Sequence, residues 1–170
     1  MGQPVPVRVD EFRETPSWSA LSVRLRRMAS ALTRSAADAD DLTQQTMLAL
    51  LTRRPDRVDH VGYARRVMVH VWLDGQRSLR RRLRRMARLA SSVVPRHTET
   101  DRMSLTEEHE RVRQALACLP PQQQAVLVLR LIEGLDYAEI AEVLGSSLDT
   151  VRANLHLARQ RIRRLVGEVV

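Results

Sequence analysis

The chain has no lysine and, in 170 residues, only one cysteine, two tryptophans, two tyrosines and one phenylalanine. Each shortage excludes something. A lone Cys118 closes no intramolecular disulfide and heads no zinc cluster, which fits a reducing compartment; beside Leu119 it reads as a small core residue. Aromatics at 3% are too few for a broad single-strand stacking platform, although Tyr63, Trp72 and Tyr137 can each hold one base. No apolar run approaches the roughly 18 residues that a membrane span needs. No signal peptide is visible either, so a soluble cytoplasmic protein without membrane insertion is expected. The six glycines make no phosphate loop and the five histidines make no H-E-x-x-H or His-carboxylate motif, so neither catalysis nor a cofactor is expected.

What is present is arginine. All 28 basic residues are arginines, against 20 acidic ones, for a formal net charge of +8. That balance points to polyanionic partners, with guanidinium groups suited to bidentate phosphate or guanine contacts. The densest run lies between Arg77 and Arg88, which includes seven arginines, and no acidic residue occurs between Asp74 and Glu99. Without carboxylates at i, i+4 to neutralise it, such a ridge favours nucleic acid over an ordinary solvated face.

Residues 1 to 14 show no period and read as a loose arm. Thr15 and Pro16 can cap and start a helix that gathers Leu21, Leu25, Met28, Ala29 and Leu32 on one face. A second helix is expected with Asp38 as its cap. Its Leu42, Thr46, Met47 and Leu50 share one side, whereas Asp41, Gln44, Gln45 and Leu48 share the other, leaving Leu48 among polar residues. That face is either an ordinary solvent face with a stray leucine or a protein-docking surface. Asp38, Asp40 and Asp41 would need further ligands to hold a metal, and helix-start acids are common, so no metal site is expected. Beyond Pro55, a long helix from Tyr63 places Met68, Val71, Trp72, Leu79, Leu83 and Met86 along one stripe opposite the arginines, with Gly75 as a possible kink.

After Ala90, SSVVPRHTETDRM loses hydrophobic periodicity and reads as a flexible connection. Ser104 and Glu107 form a capping pair for a helix whose Val112, Ala115, Leu116 and Leu119 face inward. Pro120 and Pro121 interrupt it, and AVLVLRLI reads as a helix buried on most sides. Asp136 with Glu139 is a reciprocal cap for a short helix carrying Tyr137, Ile140, Ala141 and Leu144 inward, and Gly145 supplies its left-handed stop. Ser147 caps the last helix, with Leu148, Val151, Leu155, Ala158 and Ile162 inward. Two helices joined by a Gly-containing turn, the second Arg-rich, make either a DNA-binding helix-turn-helix or an ordinary helical hairpin. The predicted class is all-α: two small helical domains at 15–90 and 104–170, joined by a linker at 91–103.

The acidic DDLTQQT helix, the LD followed by an arginine run, and LPPQQQAVLVLRLIEGLDYAEIAEVLG with S-x-x-TV-R in register resemble an RNA polymerase sigma factor of the extracytoplasmic-function group of the sigma-70 family. The resemblance covers roughly residues 18 to 166 and implies a region 2-like bundle and a region 4-like helix-turn-helix. It further implies core RNA polymerase as a partner, through the β′ clamp helices and the β flap. Asp41, Gln44, Gln45 and Leu48 would form the docking face. Tyr63, His70, Trp72, Arg77, Arg80, Arg81, Arg82, Arg84 and Arg85 would open and hold the −10 element. Thr150, Arg152, Ala153, Asn154, His156, Leu157 and Arg159 would read the −35 element. An anti-sigma factor is a further partner it leaves room for. The recognition helix departs from the common K/R-S-R-x-x-R continuation, which implies a changed or weaker −35 preference. The alternative is a two-domain transcriptional regulator with a LuxR-like DNA-binding domain, acting without being a sigma subunit.

Overall fold

The computed structural model describes residues 18–53, 60–89 and 114–167. All regular structure among them is helical: α1 (Trp18–Leu32), α2 (Ala36–Arg53), α3 (His60–Leu89), α4 (Pro121–Leu131), α5 (Tyr137–Leu144) and α6 (Leu148–Gly167), with a short helical stretch at 114–117 before α4. The expected cap at Thr15, the Ser104–Glu107 pair, Val112 and the linker at 91–103 lie outside the described residues.

In the first half, α1 and α2 pack on one another and on α3. The periodicity of α1 is met residue for residue: Leu21, Leu25, Met28, Ala29 and Leu32 are its buried side chains. The start of α2 differs from expectation. Ser35 caps it, with Oγ accepting from the Asp38 backbone N–H at 3.0 Å and donating to the Asp38 carboxylate at 2.7 Å. Asp38 therefore sits inside the first turn, where its charge complements the helix dipole. Thr43 and Thr46 are buried because each hydroxyl donates to the carbonyl four residues back, Ala39 and Leu42, at 2.7 Å.

The stripe expected along α3 is only half covered. Met68 and Trp72 are buried and Val71 partly so, but Leu79, Leu83 and Met86 are exposed. The reason is length: at about 1.5 Å per residue, a 30-residue helix outruns the 15 and 18 residues of α1 and α2 that could cover it.

In the second half, α4 is buried from Gln123 through Leu129 without a break. It packs on α5 and α6 on one side and on α1 and α3 on the other, which is why a run of consecutive residues is covered rather than one stripe. Asp136 and Glu139 form the expected reciprocal cap of α5, at 2.8 and 2.7 Å, and Gly145 ends it at φ 61°. Arg130 Nη1 donates to the Leu135 carbonyl at 2.7 Å, and its guanidinium lies over the Tyr137 ring at 5.4 Å, bracing the turn into α5.

The halves are not held apart. One hydrophobic core runs from Leu21 to Ala158 across both. Polar contacts reinforce the junction. Gln124 Nε2 donates to the Ala31 and Leu32 carbonyls at 3.0 and 3.2 Å, satisfying the end of α1. Arg34 donates to Ala117 O, and His70 Nε2 donates to Val143 O at 3.0 Å. Glu133, whose side chain is 3% exposed, receives Arg24 and Arg65 at 3.2 and 3.0 Å.

Candidate nucleic-acid and partner interfaces

Three surfaces carry the residues that sequence singled out. The first is on α2. Asp41, Gln44, Gln45 and Leu48 are all exposed on the side away from α1 and α3, and Leu48 is 63% exposed. Leu51, three residues further along, is exposed as well, so the apolar part of this face is a pair rather than a single side chain. Sequence periodicity left Leu51 unassigned; it lies about 100° round the helix from the buried Leu50 and one turn on from Leu48.

The second surface is the distal part of α3. Arg80, Arg81, Arg82, Arg84 and Arg85 are exposed, and none has a carboxylate partner among the described residues. Arg77 is exposed and paired with Asp74 at 2.9 Å, an i, i+3 contact in solvent. The remaining candidates on α3 lie toward the core. Tyr63 is half-buried, His70 is half-buried and bonded to Val143, and Trp72 is only 5% exposed. As folded, the indole of Trp72 presents no face for a base to stack on.

The third surface is the outer side of α6. Thr150, Arg152, Ala153, His156, Leu157 and Arg159 are exposed, and Asn154 is half-buried at the edge of the face. Its amide Nδ2 donates to the Thr150 carbonyl at 3.0 Å, tying it to its own helix. Val151, Leu155 and Ala158 anchor the opposite side in the core. The helix starts on Ser147, whose Oγ accepts from the Thr150 N–H at 3.2 Å. The turn between α5 and α6 passes through the left-handed Gly145, giving a helix-turn-helix whose second helix stands clear along its outer side.

Among the described residues no group of three or more His, Cys, Asp or Glu side chains is arranged to hold a metal ion, and no helix is long and apolar enough to cross a membrane.

A helical unit with a bare arginine ridge and a second ending in a helix-turn-helix define a two-part nucleic-acid-binding protein. Sequence comparison gives both parts the same kinship: residues 18–82 match the Sigma-70 region 2 family and residues 109–162 match Sigma-70, region 4. The chain is 31% identical over 148 residues to the ECF RNA polymerase sigma factor SigM of Mycobacterium tuberculosis, covering 85% of this chain and 72% of that protein. It is 30% identical over 167 residues to the ECF sigma factor SigE of Mycolicibacterium smegmatis, covering 87% of this chain but only 61% of SigE. Among solved structures it is similar to the sigma factor RpoE of Bartonella quintana, in complex with the anti-sigma factor NepR, at a TM-score of 0.65 and 19% identity over 86% of this chain and 92% of that one. A second match is CnrH in complex with the cytosolic domain of CnrY, at a TM-score of 0.61 and 25% identity over 88% and 84% of the two chains. The chain belongs to the extracytoplasmic-function group of the sigma-70 family.

Proposed function

We propose that this chain binds core RNA polymerase and directs it to promoters as a sigma factor. The observation that supports the reading is the coexistence, on one chain matching both sigma-70 regions, of an exposed polar face with two leucines on α2, an exposed arginine ridge on α3 and an exposed outer side of α6. Residues 15–90 form the docking and melting domain, 91–103 the linker and 104–170 the −35 domain. The α2 face of Asp41, Gln44, Gln45 and Leu48, extended by Leu51, docks on the β′ clamp helices, and the second domain meets the β flap. The arginines of α3 bind the phosphates of the −10 region, and the outer side of α6 reads the −35 element. The chain does no bond chemistry; it lends sequence choice to the polymerase, in the cytoplasm.

One structural neighbour, RpoE, is a sigma factor in complex with the anti-sigma factor NepR, which supports an anti-sigma partner here. For His70 to reach DNA its bond to Val143 must break.

The test is association of the purified chain with core RNA polymerase, read by co-elution. A stoichiometric complex supports the proposal. Failure of the folded chain to associate would contradict it; with both sigma-70 regions matched, the LuxR-like alternative is not favoured.

A further inference from the structure

The first turn of α6 carries an acid on its outward side. Val151, Leu155 and Ala158 fix the buried direction of the helix. At about 100° per residue, the direction opposite them is taken by Asp149, Ala153 and Gln160. Asp149 therefore lies on the midline of the outward side, near the N-terminal end, where a recognition helix comes nearest the base edges. Its side chain is 91% exposed.

An acid in a first turn ordinarily serves the helix dipole or the cap. Here Ser147 does the capping, its Oγ accepting from the Thr150 N–H and lying 2.8 Å from Thr150 Oγ1. The Asp149 carboxylate makes no cap bond. Its partner among the described residues is Arg152, whose Nη1 donates to Oδ1 at 3.4 Å. One turn further along the midline, Ala153 offers only a methyl group, which lets the helix approach a groove floor closely.

A carboxylate at this point opposes DNA binding in general, because it faces a polyanion. It becomes favourable only opposite a group that donates to it. In the major groove the base edge with an amino donor and no adjoining acceptor on the same base is cytosine N4, the usual partner of Asp or Glu, whereas Arg takes O6 and N7 of guanine.

We propose that Asp149 is a specificity-determining residue of the −35 interaction: it accepts from cytosine N4 and, through Oδ1, positions Arg152 on a neighbouring guanine. The proposal rests on α6 being the −35 reader. The element this chain selects then contains a C beside a G at the base pairs under the first turn, and discrimination at the G, contacted bidentately by Arg152, is about 5- to 150-fold.

The experiment reconstitutes the full chain with core RNA polymerase and selects promoters from a pool randomised across both elements. It is done for the wild type, Asp149→Ala, Asp149→Asn and Arg152→Ala, with circular dichroism melting to verify folding. Wild type should enrich the C and its neighbouring G. Asp149→Ala should flatten the C and weaken the G, Arg152→Ala should flatten the G, and Asp149→Asn should flatten the C or exchange it for A, the base that Asn pairs with. That exchange is an effect no merely structural role would produce. A wild-type element without the C, or the same element from wild type and both Asp149 variants, overturns the proposal while leaving −35 reading intact. Enrichment of a −10 element with no −35 preference from any variant overturns the α6 assignment and this proposal with it.

Discussion

Arg65 on α3 and Glu133, in the turn after α4, lie 3.0 Å apart with the carboxylate almost wholly out of solvent. Arg24 reaches the same Oε2 from α1, so one buried acid from the second half is held by two arginines of the first. Burying a carboxylate is costly unless it is paired, and removing it strands the guanidinium groups gathered around it. The junction between the halves is thus fixed by charge as well as by apolar packing.

Glu133→Ala should lower unfolding stability by about 2–4 kcal/mol, somewhat under the range for a fully buried pair because Arg24 is half exposed. Denaturant unfolding measures this. A double-mutant cycle with Arg65→Ala should show the two changes to be non-additive, since they share one contact. Additive costs would mean the pair contributes little.

Leu48 is an exposed side chain on a face that buries nothing within the chain, so Leu48→Asp should leave the melting temperature nearly unchanged. Its effect belongs to the partner: about a 30-fold or greater loss of affinity for core polymerase, the size expected of a central interface residue. Leu51→Asp should act in the same direction. Equilibrium binding to core enzyme checks both, and wild-type affinity in the two variants would remove the docking face.

Arg80, Arg81 and Arg82 stand in solvent without carboxylate partners among the described residues. Replacing all three by Ala should reduce the slope of log affinity against log salt by about 2 to 3, depending on whether duplex or single strand is bound. Stability should barely change. An unaltered slope would show that these are not phosphate contacts.

Gly145 ends α5 at φ 61° with no atom within 4 Å of where a Cβ would stand. Gly145→Ala therefore meets no clash, and its cost is backbone strain alone, about 1–2 kcal/mol. Thermal unfolding measures it. A much larger loss would mean that the turn tolerates no Cβ for reasons of packing.

What was legible in the sequence was mostly local. The Asp136–Glu139 cap, the Gly145 stop, the Ser147 start and the inward face of α1 depend on spacings of a few residues, and the structure has each of them. The cap of α2 went to Ser35 rather than Asp38 because serine and aspartate compete at that spacing, and the hydroxyl one turn earlier satisfies the Asp38 N–H. Contacts between the halves left no periodic trace. Gln124 reads as a polar residue at a helix start until its amide is found on the end of α1, and Glu133 reads as a turn residue until two arginines arrive from far along the chain. Trp72 follows the same rule: its helical phase beside Met68 put it on the apolar stripe, and that phase, rather than its chemistry as a base-stacking ring, governs its burial.

The most direct measurement is run-off transcription by core RNA polymerase supplemented with this chain, on templates selected from a random promoter pool. A sigma factor yields discrete transcripts that depend on the added chain and disappear with Leu48→Asp. No transcript from any template, although the chain is folded and present in excess, would contradict the claim that it initiates transcription.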